Sequence, residues 1–134
     1  MIERATTLEQ VHEAGPLFDH AVQDDAARRF LDDPTHHLLL ARDDGRVVGF
    51  VSGVETTHPD KGAEMFLYEL AVDPAAQRRG HGRALVAALA DLARERGCYG
   101  MWVLTDRDNV AAVATYTAAG GAAPEDCVLI PWTL

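Results

Sequence analysis

The chain has 134 residues, of which 48% are hydrophobic and 25% are charged, and its formal net charge is −9. These values fit one globular domain, spanning residues 1–134, and the excess of acid disfavours nucleic acid as a partner, because the chain repels phosphate backbones. The sequence contains neither an apolar run of about 18 residues nor a basic-then-apolar leader, so we expect no membrane association and a cytoplasmic location.

Cysteine and histidine usage predicts no metal site. The chain has two cysteines, Cys98 and Cys127, in no metal-like spacing, and we expect buried reduced thiols rather than a disulfide. The adjacent His36 and His37 are not joined by a second cluster of ligand residues.

The N-terminal third predicts a strand followed by two helices. Residues 2–5 read as a short strand, and Thr6 or Thr7 is suited to cap the first helix. A second helix is predicted from Phe18 to Leu31, because Pro34 disfavours its continuation.

A hairpin is predicted next. The apolar runs 37–41 and 47–55 are separated by a turn that contains Asp44-Gly45, and Asp-Gly suits the primed turns that join antiparallel strands. Residues 56–63 read as a loop that leads into the following strand.

The strand from Met65 to Val72 is β-compatible, and Pro74 ends regular pairing after it. Apolar residues then recur at helical spacing up to Arg96, and Gly97 is suited to end that helix.

The C-terminal third predicts a strand over 101–105, a loop over 106–109, a helix to about Ala119 and a last strand over 128–133. The alternation predicts a single α/β domain with a mixed central sheet of about six to seven strands and about four helices.

The turn before the long helix carries the clearest chemical signal. The first N–H groups of a helix have no intrahelical partner and lie at the positive end of its dipole. Gly80 and Gly82 let an anion approach them, while Arg78, Arg79 and Arg83 add positive charge, so the predicted ligand group is a phosphate or pyrophosphate. The alternative is a surface turn with solvated arginines, and neither the P-loop nor the dinucleotide fingerprint is present.

The residues Leu-Ala-Val-Asp-Pro at 70–74 and Gln-Arg-Arg-Gly-His-Gly-Arg-Ala-Leu at 77–85 resemble the acyl-coenzyme A signature of the GNAT acetyltransferases. The resemblance implies acetyl-CoA as the cofactor. It implies that the backbone amides of 78–84 hold the pyrophosphate and that the strand at 70–72 pairs with the pantetheine arm. The cofactor-binding residues that it implies are Leu70, Ala71, Val72, Gln77, Arg78, Arg79, Gly80, His81, Gly82, Arg83, Ala84, Asn109 and Tyr116.

Asn109 and Tyr116 are seven residues apart and share one face of the predicted helix. In the family, an Asn here contacts the cofactor and a Tyr stands beside its sulfur, so Tyr116 is the candidate general acid for the departing thiolate. The alternative is a tyrosine that fills the core.

Glu69 is the candidate general base. A carboxylate in a core strand is costly unless it faces a cleft, and there it could take a proton from an amine acceptor and bind the ammonium form beforehand. The alternatives are a salt bridge to an arginine and, for the base, Glu64. Orientation alone can support direct transfer in a ternary complex without a covalent intermediate.

Within this family, residues 66–72 and 111–120 are most similar to the aminoglycoside 3-N-acetyltransferases. The resemblance implies a small cationic amine as partner, with Glu69, Asp106 and Asp108 as substrate-binding acids and antibiotic resistance as a possible role. It also implies a possible homodimer. The alternatives are an acetyltransferase for another small amine or a protein amine, and a coenzyme A-binding module without catalysis.

Overall fold

The structure is a computed structural model that describes residues 1–134. Its five strands are β1 (Ile2–Arg4), β2 (His36–Asp43), β3 (Arg46–His58), β4 (Gly62–Val72) and β5 (Met101–Val103), and they lie in this order in one sheet. Strands β1 to β4 pair antiparallel, and β5 pairs parallel with β4. The four helices are α1 (Leu8–Ala14), α2 (Asp24–Asp32), α3 (His81–Glu95) and α4 (Val110–Ala118). The expected α/β fold with a mixed sheet is confirmed, with five strands instead of six to seven.

Helices cover both faces of the sheet and create two hydrophobic cores. The buried face of α3 consists of Leu85, Val86, Leu89 and Ala93, and it packs on residues of β3 and β4 that include Val51 and Leu67. Helices α1 and α2 pack on the opposite face, over β2 and β3. The longest helix, α3, has 15 residues, and no helix combines the length and hydrophobicity needed to cross a membrane.

The sequence predicts the turn of the first hairpin but not the length of the second. Asp44 and Gly45 both have positive φ, 51° and 79°, which confirms the primed turn between β2 and β3. The predicted loop over 56–63 is wrong, because β3 and β4 continue pairing to the partners His58 and Gly62. Their outer residues are exposed, so backbone hydrogen bonds rather than burial extend this hairpin.

The second helix begins at Asp24, so the prediction that it starts at Phe18 is wrong. Phe18 has extended backbone, with φ −80° and ψ 152°, and its ring packs edge-on against Phe50 with centroids 4.8 Å apart. This tertiary contact holds residues 18–23 in a loop, and the loop brings Asp19 towards the sheet.

The predicted last strand over 128–133 is also wrong, because the segment has no strand partner. Its side chains are exposed, with Val128 at 85%, Leu129 at 79% and Trp132 at 77%. Strand β5, at one edge of the sheet, has three residues and pairs only with β4. Cys127 is exposed and Cys98 partly buried, and both are free, so the expectation of a buried thiol fails at Cys127.

Gly53 allows β3 to approach the α3 core closely. A Cβ added there would lie 2.8 Å from Leu89 Cδ1 and 2.9 Å from Met65 Sδ, and both of these side chains are fully buried. We therefore expect Gly53→Ala to lower the free energy of unfolding by about 1–3 kcal/mol, measured by urea denaturation.

The matched control for Gly53→Ala is Gly100→Ala, because a Cβ added at Gly100 meets no atom within 4 Å. It should change the free energy of unfolding by less than about 0.5 kcal/mol. Equal losses in the two variants would contradict the packing argument.

Candidate functional site

A large cavity opens where β4 and β5 separate. Strand β5 pairs with β4 only at Met65–Leu67, so from Tyr68 to Val72 the edge of β4 on that side has no strand partner, while its other edge pairs with β3. The cavity has a volume of about 830 Å³, and its walls are the open part of β4, the turn before α3, the start of α3, and α4.

The turn at one end of the cavity presents unpaired backbone donors. Gly80 is the N-cap of α3 and supplies no side-chain hydrogen bond, and the first intrahelical bond runs from Ala84 N to Gly80 O at 3.0 Å. The amides of the first turn, at residues 81–83, therefore have no partner within the helix. Together with the positive end of the α3 dipole they form an anion-binding site.

The two glycines of this turn have different structural roles. Gly80 has φ 84°, and a Cβ there would meet no atom within 4 Å, so the backbone conformation is what requires glycine. A Cβ at Gly82 would lie 3.3 Å from Thr115 Cγ2, so Gly82 also permits the close contact between α3 and α4.

The side chains of the turn divide between the cavity and the outer surface. Arg78 and Arg83 line the cavity, whereas Arg79 donates from Nη1 to Asp43 Oδ2 at 2.6 Å and lies outside it. Gln77 donates from Nε2 to Val72 O at 3.2 Å and fixes the turn on the end of β4. The amide of Ala84 donates to Gly80 O within α3, so it is not available to a ligand.

These features fit an extended ligand with a phosphate at one end. His81 lines the cavity, and its Nε2 is buried without a hydrogen-bond partner, which is costly unless a ligand supplies one. The open edge of β4 offers backbone groups of Leu70 and the amide of Val72 to an extended arm, whereas Ala71 faces β3, because neighbouring residues of a strand point to opposite edges and Asp73 N donates to Val48 O in β3. The residues present therefore fit coenzyme A, with its pyrophosphate at the turn and its pantetheine along β4.

Helix α4 places Asn109 and Tyr116 in the wall opposite β4. Asn109 caps this helix, because its Oδ1 accepts a hydrogen bond from Ala112 N at 3.1 Å, which leaves its amide nitrogen for a ligand. Tyr116 packs at the edge of the α3 core, and burial raises the pKa of its hydroxyl. Tyr116 is therefore protonated at neutral pH and able to donate.

A bulge in β4 aims Glu69 into the cavity. Ser52 pairs with Glu69 and the next residue, Gly53, pairs with Leu67, so Tyr68 is an extra residue without a partner. Leu67 and Leu70 consequently both contact the α3 core although they are three residues apart. In a regular strand, residues three positions apart point to opposite faces of the sheet, so this arrangement requires the bulge.

Glu69 meets negative charge rather than an arginine. It takes part in none of the salt bridges of the chain, so the salt-bridge alternative does not hold. Burial raises the pKa of Glu69, and the nearby charge of Asp19 raises it further. Asp19 was missed in the sequence because 50 positions separate it from Glu69 and no local pattern joins them.

The other acidic residues that were predicted to bind substrate, Asp106 and Asp108, are not part of the cavity wall that contains Glu69. Asp106 and Asp108 are exposed on the loop before α4 and do not line the cavity. Between them, Arg107 pairs with Asp126. No three His, Cys, Asp or Glu side chains are placed to share a metal ion.

Gly80→Ala tests the anion-binding turn. An L-residue at this φ costs about 1–2 kcal/mol, and distortion of the turn would misdirect the amides of the first helical turn. We expect the Kd for CoA to rise about tenfold, measured by isothermal titration calorimetry.

Gly45→Ala is the matched control for this change, because Gly45 has φ 79° and open space around a Cβ, but lies in the turn between β2 and β3. It should lose similar stability and keep its affinity for CoA. Equal loss of affinity in both variants would show a general effect of strain and would contradict the assignment.

The comparisons with known sequences agree with this geometry. The sequence model of the acetyltransferase (GNAT) family matches residues 5–120. Mycothiol acetyltransferase of Sanguibacter keddieii is 43% identical over 85 residues, covering 62% of this chain and 27% of that protein. The ribosomal protein bS18-alanine N-acetyltransferase of Escherichia coli K12 is 42% identical over 57 residues, covering 42% of this chain and 38% of that protein. The chain spans well under half the length of the curated relatives that it matches.

Solved structures share the fold across the whole chain. An aminoglycoside acetyltransferase from an uncultured soil metagenomic sample, in complex with trehalose, superposes with a TM-score of 0.91 at 23% identity, covering 100% of this chain and 95% of that one. Aminoglycoside N-acetyltransferase AAC(6′)-Iy in complex with CoA superposes with a TM-score of 0.85 at 20% identity, covering 100% of both chains. At these identities the likeness establishes the fold.

Proposed function

The chain belongs to the acetyltransferase (GNAT) family, whose enzymes use acetyl-CoA, and we propose that it transfers the acetyl group to an amine of an aminoglycoside. A 3-N amine is the proposed position, on the resemblance of residues 66–72 and 111–120 to the 3-N enzymes. When bound, acetyl-CoA supplies an activated thioester carbonyl. The residues of this chain supply orientation and proton transfer.

The observation that carries the proposal is that one cavity holds an anion-binding turn, a carboxylate and a tyrosine hydroxyl. Glu69 is on the β4 wall and Tyr116 on the α4 wall, so the two side chains would flank a thioester held along the open edge of β4. Glu69 accepts the proton that an ammonium acceptor must lose, directly or through water. Tyr116 donates a proton to the departing thiolate.

Direct transfer in a ternary complex is supported by a cavity wall that contains neither cysteine nor serine. Cys98 does not line it, and burial raises the pKa of its thiol, which lowers the thiolate fraction at neutral pH. Orientation of the two substrates can then contribute several kcal/mol to the rate.

The acceptor class is supported by charge. Glu69 and Asp19 are close enough for the charge of Asp19 to raise the pKa of Glu69, and the chain carries a net charge of −9. A polycationic amine relieves the repulsion between these carboxylates and is attracted by the overall field. Asp106 and Asp108 lie on the loop between Thr105 and Asn109, which both line the cavity, and they are proposed to bind its more distant amines.

A second candidate is an acetyltransferase for another small amine or a protein amine. It is favoured by the sequence relatives at 43% and 42% identity, which are named for mycothiol and for a ribosomal protein alanine. The two structural neighbours described above, which are named for aminoglycosides, show less sequence identity, at 23% and 20%.

Release of free thiol from acetyl-CoA, measured with gentamicin, spermidine and a peptide with a free N-terminal alanine, distinguishes the candidates. The aminoglycoside proposal predicts rapid release with gentamicin and little with the other two. Turnover of spermidine or the peptide alone would favour the second candidate. Binding of CoA without turnover of any amine would support a binding module.

We further propose that the chain forms a homodimer. A single copy leaves the apolar segment 128–134 exposed, while an apolar groove of about 290 Å³ lies beside the unpaired edge of β5, between α3 and α4. A second copy that inserts this segment buries both surfaces.

The homodimer proposal predicts a dimer in analytical ultracentrifugation for the full chain and a monomer after removal of residues 124–134. A chain that is monomeric at all concentrations would contradict it.

A further inference from the structure

Helix α4 is apolar but poorly covered. All 9 of its residues are Ala, Val, Thr or Tyr, and none is buried. Val110 is 75% exposed, and the helix packs mainly on α3. A helix without a charged or strongly polar face normally lies inside a protein. The wall of the cavity that carries Asn109 and Tyr116 therefore needs a cover that a single copy does not provide.

Tyr116 lies between the cavity and the apolar groove of about 290 Å³ between α3 and α4, and it is the one residue that lines both. The side-chain hydrogen bonds of α4 are those of Asn109 and Thr115, so no hydrogen bond within the chain fixes the Tyr116 ring. The position of its hydroxyl depends on packing. The groove leaves one side of Tyr116 without a packing partner.

The segment 128–134, which we call the tail, matches this groove in composition. Its large apolar residues, which include Ile130 and Trp132, are each at least 65% exposed, and the groove wall consists mainly of apolar residues. The chain reaches the tail past Ala122, which lines the groove, and Asp126, which pairs with Arg107 on the loop before α4. The tail therefore begins close to the groove of its own copy but does not fill it.

A second copy can fill the groove with its own tail. Each tail carries 5 large apolar residues that are exposed, and burial of such a side chain removes about 100–200 Å² from solvent. Two tails and the grooves that they enter then bury more than the roughly 1,600 Å² of a standard stable interface. Because the exchange is reciprocal, it closes into a dimer.

We propose that the site is complete only in the dimer, because the tail of the second copy fills the groove and holds Tyr116 and α4 against the cavity. This inference rests on the proposed acetyl transfer and the proposed homodimer, and it adds that association controls catalysis. Trp132 is the expected anchor, since a buried tryptophan commonly dominates an interface. Trp132 is thus a positioning residue that acts on kcat through Tyr116.

Trp132→Ala tests this coupling. Trp132 is 77% exposed in the single copy, so its loss should not unfold the chain. At a concentration where the wild type is dimeric by analytical ultracentrifugation, the variant should be monomeric, with kcat about 10–100-fold lower. The Kd for CoA should stay within about threefold of wild type, because neither the anion-binding turn nor residues 70–72 line the groove.

The matched control for Trp132→Ala is Tyr99→Ala, which removes an aromatic ring that is 59% exposed and lines neither the cavity nor the groove. It should remain dimeric and fully active. On dilution of the wild type, activity per molecule should fall with the dimer fraction. A monomeric sample with the kcat of the dimer would overturn the proposal.

A mixture of two variants tests whether the tail acts between copies. Tyr116→Phe has an intact tail but lacks the hydroxyl, whereas Trp132→Ala keeps Tyr116 but has a defective tail. Half of randomly paired dimers are mixed, and one of their two sites combines an intact Tyr116 with an intact tail. The mixture should therefore rise towards about one quarter of wild-type activity. Mixed dimers no more active than the sum of the two variants would overturn the proposal.

Hydrogen exchange separates this inference from the proposed function. The amides of α4 should exchange about tenfold more slowly in the wild-type dimer than in Trp132→Ala, whether or not an amine is acetylated. Slower exchange without acetylation of gentamicin would leave the coupling intact and the proposed function wrong. Acetylation of gentamicin at equal rates by monomer and dimer would leave the function intact and overturn the coupling, as would equal exchange.

Discussion

Tyr116→Phe is expected to lower kcat by about 10²–10⁴-fold, because it removes only the hydroxyl that protonates the departing thiolate. The ring stays, so packing against the α3 core and the stability of α4 should be kept. Rate measurements with saturating acetyl-CoA and acceptor give kcat, and calorimetry should give a Kd for CoA within twofold of wild type.

The matched control is Tyr99→Phe, which removes a hydroxyl from a tyrosine that is 59% exposed and does not line the cavity. It should leave kcat unchanged. Full activity in Tyr116→Phe would show that water or another group protonates the thiolate, and would remove Tyr116 from the mechanism.

Glu69→Gln is expected to lower kcat/KM by about 10²–10⁴-fold at neutral pH, because glutamine can neither accept a proton nor bind an ammonium as an ion pair. The pH profile adds a second test. Burial and the charge of Asp19 raise the pKa of Glu69 above 4.5, and a base must be ionised to act. The kcat/KM of the wild type should therefore fall as the pH drops through this raised pKa, and Glu69→Gln should lack that fall.

The stability of the Glu69→Gln variant should not fall together with its activity. A carboxyl whose pKa is raised on folding stabilises the native state below its unfolded pKa, and that contribution is lost as the pH rises through the folded pKa. Glu69→Gln removes this loss, so at neutral pH the variant should be at least as stable as wild type. Activity falls although stability does not.

Glu64→Gln is the control for Glu69, since Glu64 is on the same strand but does not line the cavity. It should leave kcat/KM and the pH profile unchanged. A larger loss in Glu64→Gln than in Glu69→Gln would reassign the base to Glu64.

The parts of the structure that the sequence predicts are those with local causes. The turn at Asp44 and Gly45 follows from their tolerance of positive φ. Helix α3 follows from its periodic apolar face and from Gly97, which has φ 80°. The anion-binding turn follows from glycine and arginine next to a helix start.

The parts that were missed depend on tertiary contacts. The segment 128–133 has the composition of a strand, but a strand also needs a partner edge, and composition does not supply one. Phe18 is pulled out of a helical pattern by Phe50. The bulge at Tyr68, which aims Glu69, depends on the register between β3 and β4 and leaves no local mark in the sequence.

We propose that this cavity transfers an acetyl group directly from acetyl-CoA to an amine of an aminoglycoside. The most direct test is mass spectrometry of a mixture of the protein, gentamicin and acetyl-CoA that carries an isotopic label in the acetyl group. We predict one labelled acetyl group on a gentamicin amine and none on the protein at any time. Label on the protein, or only as free acetate, would contradict the claim.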